Sequence, residues 1–184
     1  MNLAVIAVAV FVATVYQNYV KSTDERALAQ VFQKASIPGY VVVTKVIDGD
    51  TFEIASGEHV RLIGIDTPES RVNPKARRDS DRTGEDILTI VSRGKEATNF
   101  TKQLVEGKSV RLEFDVGKRD KYDRLLAYVY LEDGTFVNEV IIREGYASPL
   151  TIPPNVKYAD KFLKLYDEAR RLERGLWRTA RETL

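Results

Sequence analysis

Three short segments concentrate the residues that could do chemistry. They are Ile47-Asp48-Gly49-Asp50-Thr51, the run from Arg61 to Glu69 (RLIGIDTPE), and Asp120-Lys121-Tyr122-Asp123-Arg124. Asp48, Asp50 and Asp66 stand at the ends of β-branched runs, where loops carry function. Hard divalent cations take several carboxylate and carbonyl oxygens, and aspartates at the ends of neighbouring strands can supply them. Pro68 fixes the local backbone and keeps Thr67 extended. That geometry offers the Thr67 carbonyl to a cation and aims Glu69 at a water. Arg61 precedes Asp66 on the same run, and Arg124 enters a second apolar run beside Tyr122. Each segment taken singly has a plainer reading: Asp-Gly-Asp as a turn, Arg61 as a surface residue of a strand, Asp120 to Arg124 as a solvated charged loop. The chain has no cysteine and a single histidine, His59. Disulfides, thiolate metal sites and sites built on two imidazoles are therefore excluded, and His59 itself reads as a surface or turn residue.

The elements that must position these residues follow from the apolar spacing. Tyr40 to Ile47 reads as a strand, Asp48-Gly49 as a hairpin signal, Thr51 to Ala55 as the return strand. Ser56-Gly57 turns the chain again into Val60 to Ile65, completing a three-stranded meander. Arg71 to Arg82 (RVNPKARRDSDR) reads as a polar, basic loop. Thr83 to Asp86 resembles a capping box ahead of a helix, whose apolar positions include Ile87, Leu88, Val91, Ala97, Phe100, Leu104 and Val105; Gly107 stops it. Val110 to Phe114 and Leu125 to Tyr130 are two more strands. Phe136 to Glu144 is a short helix, and Ala159, Phe162, Leu163, Tyr166 and Ala169 mark one face of a last one. The expected fold is mainly β with α (α+β): a five-stranded barrel of the OB type with about three packed helices.

In their order and spacing the three segments resemble the thermonuclease (staphylococcal nuclease) family. The resemblance runs from about Val41 to Trp177 and takes in Gly134 to Glu139 (GTFVNE) and the terminal Gly175-Leu176-Trp177. It implies an OB-fold and calcium-dependent cleavage of DNA and RNA, single strands favoured, leaving 3′-phosphate ends. Carried over by position, Asp50 and Asp66 match the carboxylates that bind one Ca2+ ion, and Thr67 matches its backbone-carbonyl ligand. Glu69 matches the general base on the attacking water, and Arg61 and Arg124 the two guanidiniums that clamp the phosphate. Lys121 and Tyr122 match contacts to the nucleotide's terminal phosphate, and Asp48 an acid near the metal that does not bind it. The chemistry is coherent: a cation and two forked arginines neutralise the charge that grows on a phosphodiester under attack.

Two departures stand out. Asp123 replaces the usual glycine of the third segment, and is expected to tolerate the turn and point outward. Thr151 and Pro153 fall where the family has base-stacking tyrosines, leaving Tyr146 or Tyr158 as substitutes. Lys75, Arg77, Arg78 and Arg82 in the basic loop are either solvated or a lip that tracks the phosphate backbone.

A chain of 184 residues with 43% hydrophobic and 30% charged side chains is globular in balance. With a formal net charge of only +1, nucleic acid must be held by local clusters rather than a global field. Leu3 to Tyr16 is uncharged and almost wholly apolar, and the first charged side chain is Lys21. Its length falls between a secretory core of about 7–15 residues and a membrane span of about 20. Residues 1–20 are thus expected to be an N-terminal hydrophobic helix acting as signal or membrane anchor, 21–39 a linker, 40–178 the nuclease-like domain and 179–184 a tail. This reading makes the protein exported, associated with a membrane through residues 3–20 unless cleaved, and monomeric, with no protein partner implied. Two competing readings share the same fold: a nucleic-acid-binding barrel without catalysis, and a membrane-anchored structural domain.

Overall fold

The computed structural model describes residues 39–178. Seven strands are present: β1 (Val41–Asp48), β2 (Thr51–Ile54), β3 (His59–Leu62), β4 (Gly64–Asp66), β5 (Ser109–Glu113), β6 (Leu125–Leu131) and β7 (Ser148–Leu150). β1, β2 and β3 form the expected antiparallel meander. β3 runs parallel to β6, β6 antiparallel to β5, and β5 returns to β1, which closes a five-stranded barrel. Inward positions such as Val43, Phe52, Val60, Leu62, Val110 and Val129 are fully buried, as the alternation along a half-buried strand requires.

The run expected as one strand, Val60 to Ile65, is split. Ile63 interrupts it, and β4 leaves the barrel to pair with β7 in register Asp66↔Ser148. Buried Asn138 holds the junction: its Nδ2 donates to the Ile63 carbonyl (2.9 Å) and its Oδ1 accepts from the Val129 amide (2.9 Å). The split swings Asp66 and the segment after it across the barrel mouth, towards the β1–β2 turn.

Four helices are found among the described residues, where about three were expected: α1 (Pro74–Thr83), α2 (Ile87–Val105), α3 (Val137–Arg143) and α4 (Ala159–Arg171). The extra one is α1, which replaces the expected basic loop. Asn73 caps it, its Oδ1 accepting from the Ala76 amide at 2.8 Å, and Pro74 takes the first helical position. Ala76 is its one buried residue, so it carries no apolar stripe to betray it. The capping box expected at Thr83 to Asp86 is not formed. Thr83 ends α1, and Asp86 alone caps α2 by accepting from the Leu88 and Thr89 amides (2.9 and 3.3 Å).

α3 packs against β6, and α4 against α3 and the β4–β7 pair, around Phe136, Tyr158, Phe162 and Tyr128. Among the described residues no helix is long and apolar enough to cross a membrane. The segment 1–20, the linker up to residue 38 and the tail 179–184 lie outside the described residues.

Candidate active site

The β1–β2 turn is where the site begins. Asp48 pairs with Thr51 across the turn, leaving Gly49 and Asp50 as its tip. Gly49 is needed for close approach: a Cβ there would stand 2.7 Å from Thr67 Oγ1. Asp50 is 7% exposed and Thr67 2%. Asp50 Oδ2 accepts from the Thr67 amide (3.0 Å) and hydroxyl (3.1 Å), and Oδ1 from the Thr51 hydroxyl (3.0 Å). Residues 17 apart in sequence are thereby locked together.

Arg61 lies opposite Thr51 on β3 and bridges two acids, with Nη1 2.6 Å from Asp50 Oδ2 and Nη2 2.9 Å from Asp66 Oδ1. The first contact is ionic, and the buried Nη1 finds no aligned hydrogen-bond acceptor. From α1, Lys75 Nζ reaches Asp66 Oδ2 (3.2 Å), the Thr67 carbonyl (3.1 Å) and Glu69 Oε1 (2.9 Å). Asn73 Nδ2 donates to Glu69 Oε2 at 2.6 Å.

Arg124 approaches from the start of β6. Its Nε and Nη2 both hold Asp120 Oδ2 (2.8 and 2.7 Å), and Asp120 Oδ1 accepts from the Arg124 amide (3.1 Å). Its Nη1 lies 3.5 Å from Thr51 Oγ1, which links it to Asp50. Arg61 and Arg124 both line a cleft of about 270 Å³, whose other wall is Leu126, Leu150, Ile152 and Pro153.

α2 braces the whole arrangement with one stripe. Gly94 packs its backbone against Glu69 and Ser70. Thr98 Oγ1 donates to Asp48 Oδ1 (3.1 Å), and buried Thr101 Oγ1 to the Gly49 carbonyl (2.6 Å). Positions 94, 98 and 101 fall on one helix face.

The electrostatics are those of an acidic cluster held by two cations. Burial raises the Asp48 carboxyl above the usual range, and Asp50 and Glu69 add to it, against hydrogen bonds from Gly49 and Thr98. Asp66 is likewise raised by burial, opposed chiefly by Lys75. Burial pulls Lys75 down, but the Asp66 and Glu69 carboxylates outweigh it and hold the ammonium above its ordinary value. Asp120 ends below the usual range, because the hydrogen bonds from Arg124 overcome the effect of burial.

The donors around Lys75 Nζ are all hard oxygens, two carboxylates and a carbonyl, already gathered on a cation. Such a set suits a hard divalent ion. Among the described residues no three Asp, Glu, His or Cys side chains form a ready cage. An ion here would rest on Asp50, Asp66 and the Thr67 carbonyl, with water completing the shell.

Of the residues singled out from sequence, Asp48, Asp50, Arg61, Asp66, Thr67 and Glu69 are brought together, and Arg124 joins through Thr51. Lys121 and Tyr122 stay on the rim: Tyr122 is 69% exposed, with Lys121 Nζ 5.0 Å and Arg124 Cζ 5.5 Å from its ring centre. Asp123 adopts φ 63° and turns outward to Arg119 (3.5 Å), as expected. His59 is an exposed strand residue 3.6 Å from Glu53.

The substitutes for the missing tyrosines are not available. Tyr146 stacks on Phe100 at 4.2 Å, and Tyr158 is committed to the aromatic cluster and to Glu113. Sequence reasoning missed Asn73, Asp120, Thr98, Thr101 and the docking of Lys75. The cap position of Asn73 before Pro74, and the four-residue step from Asp120 to Arg124, were the only signals for any of them.

Residues 59–179 match the family described as staphylococcal nuclease homologue. The chain is 40% identical over 139 residues to the thermonuclease of Staphylococcus intermedius, covering 74% of each chain. It is 36% identical over 138 residues to the thermonuclease of Staphylococcus hyicus, covering 73% of each. With Endonuclease YncB of Bacillus subtilis it shares 35% over 170 residues, 85% of this chain and 74% of that one.

Proposed function

The chain belongs to the family of staphylococcal nuclease homologues and is a nuclease; on that premise we propose a calcium-dependent phosphodiesterase that cleaves DNA and RNA, preferring single strands and leaving 3′-phosphate ends. The observation that carries the reading is the convergence of Asp50, Arg61, Asp66, Thr67 and Glu69 on one barrel mouth, with Arg124 tied in through Thr51.

Asp50, Asp66 and the Thr67 carbonyl would hold the ion. When bound, calcium neutralises charge on a phosphoryl oxygen of the substrate. Glu69 orients a water and takes its proton as the water oxygen bonds to phosphorus. The bond from phosphorus to the 5′ oxygen breaks, that oxygen collects a proton from solvent, and the phosphate stays on the 3′ side. The guanidinium charge of Arg61, and Arg124 through its Nη1, stabilise the oxygens on which charge builds. Asp120 keeps the Arg124 fork in place. The aliphatic wall of Leu126, Leu150, Ile152 and Pro153 gives a base apolar contact without an aromatic platform, so base selectivity should be weak.

Incubation with single-stranded DNA or RNA in calcium, magnesium or chelator, followed by end-group analysis, tests this. Cleavage to 3′-phosphate ends in calcium and none in chelator is expected. Undiminished cleavage in chelator, or 5′-phosphate ends, would refute it.

Export is also part of the proposal, and its support is the uncharged apolar run from Leu3 to Tyr16. Nuclease activity confined to the cytoplasmic fraction of an expressing cell would contradict it.

A further inference from the structure

We propose that Lys75 is a tethered cation that competes with the metal: its ammonium gathers the acidic oxygens of the site, a divalent ion displaces it, and it thereby sets the ion concentration at which the nuclease becomes active. The inference rests on the calcium reading above and concerns what this chain does to the ion's affinity.

Lys75 Nζ touches Asp66 Oδ2, the Thr67 carbonyl and Glu69 Oε1 at 3.2, 3.1 and 2.9 Å. Two of these three oxygens belong to residues assigned to the ion, and the third to the general base. An ammonium and a divalent ion cannot both sit in contact with the same oxygens, because like charges a few ångströms apart repel strongly. Binding the ion therefore requires Lys75 to leave. Its departure also frees Glu69 Oε1 to face a water.

The structure supplies both the hold and the exit. Lys75 is the second residue of α1, whose first turn contains no acid. A cation there opposes the positive end of the helix dipole, so the helix gives Lys75 no reason to stay. The site's acids do. Its backbone is anchored by Asn73, which caps the helix through Oδ1 and grips Glu69 through Nδ2. The side chain is 31% exposed, and Asp79 Oδ2 lies 3.9 Å from Nζ, one turn along the same helix. The ammonium can thus swing to Asp79 and solvent while α1 and Asn73 keep their grip on Glu69.

The test is calcium titration calorimetry on the full chain, with thermal melts in chelator and in saturating calcium. The variants are Lys75→Met, which keeps the stem, and Lys75→Gln, which can still donate to the Thr67 carbonyl. Each should bind calcium roughly tenfold more tightly than the parent, since a competing charge beside the ion is gone. Each should melt lower than the parent in chelator, and saturating calcium should close that gap. Equal or weaker calcium binding by folded variants, or a melting deficit that calcium does not close, would overturn the role of Lys75 and leave the metal site standing. A parent that binds no calcium would overturn both.

Discussion

Gly94→Ala sets two rules of helix chemistry against each other. Gly94 is buried in the middle of α2, and alanine in a helix interior is favoured over glycine by about 1 kcal/mol. Propensity alone therefore predicts a more stable protein. The site predicts otherwise. A Cβ at position 94 would stand 2.6 Å from the Ser70 amide nitrogen and closer still to the Glu69 carbonyl. Those neighbours are backbone and cannot rotate away, so the Glu69–Ser70 segment must retreat by roughly an ångström to reach ordinary contact, at the ~1–3 kcal/mol usual for an overpacked site. Net of propensity, the fold loses about 0–2 kcal/mol, a few degrees of melting temperature. The displaced atoms belong to Glu69, the proposed general base, however, and a misplacement of ~1 Å typically costs on the order of a hundredfold in rate. The expected variant folds nearly as well as the parent and turns over about a hundredfold more slowly. Thermal melts beside calcium-dependent cleavage of single-stranded DNA read both quantities. A variant that is more stable and fully active would show that α2 does not set the position of Glu69.

Asp48→Asn should stabilise the calcium-free protein at neutral pH. Burial raises the folded-state pKa of Asp48 above its unfolded value, so its contribution is full below the unfolded carboxylate range and is lost as pH rises through the folded pKa. Asparagine Oδ1 can still accept from Gly49 and Thr98. The variant's lead in melts with chelator should shrink from neutral pH towards about pH 4, and superimposed melts at every pH would contradict it. Arg77 and Arg78 on α1 are exposed and have no salt-bridge partner among the described residues. Changing both to glutamine should weaken single-strand binding and flatten its salt dependence while leaving saturated turnover nearly intact; an unchanged salt slope would remove them from the binding surface.

Much of the barrel was legible because β-branched alternation and tight turns mark strands whose inner face is buried. The acids and Arg124 were legible because they sit at strand ends and turns, where apolar packing does not account for them, and Arg61 because it is a charged residue inside an apolar strand. α1 escaped notice because it buries only Ala76 and is held by a cap and ion pairs, which leave no period in the sequence. Thr98 and Thr101 left no signal, because nothing local in the sequence shows that their face of α2 meets the β1–β2 turn. The break at Ile63 was equally hidden, since Asn138 dictates it from 75 residues away. Tyr146 and Tyr158 looked free to receive a base only because their aromatic neighbours are distant in sequence.

The most direct measurement is calcium-dependent hydrolysis of a labelled single-stranded DNA by the parent, Glu69→Gln and Arg124→Lys, each with a matched thermal melt. Glutamine at 69 keeps a hydrogen-bonding side chain but cannot take a proton, and lysine at 124 keeps the charge but loses the two-pronged hold on Asp120. The expected result is rapid cleavage by the parent and a loss of about a hundredfold or more in each variant, with melting temperatures little changed. Undiminished cleavage by either folded variant would contradict the assignment of the site, and no cleavage by the parent would leave a barrel that binds nucleic acid without cutting it.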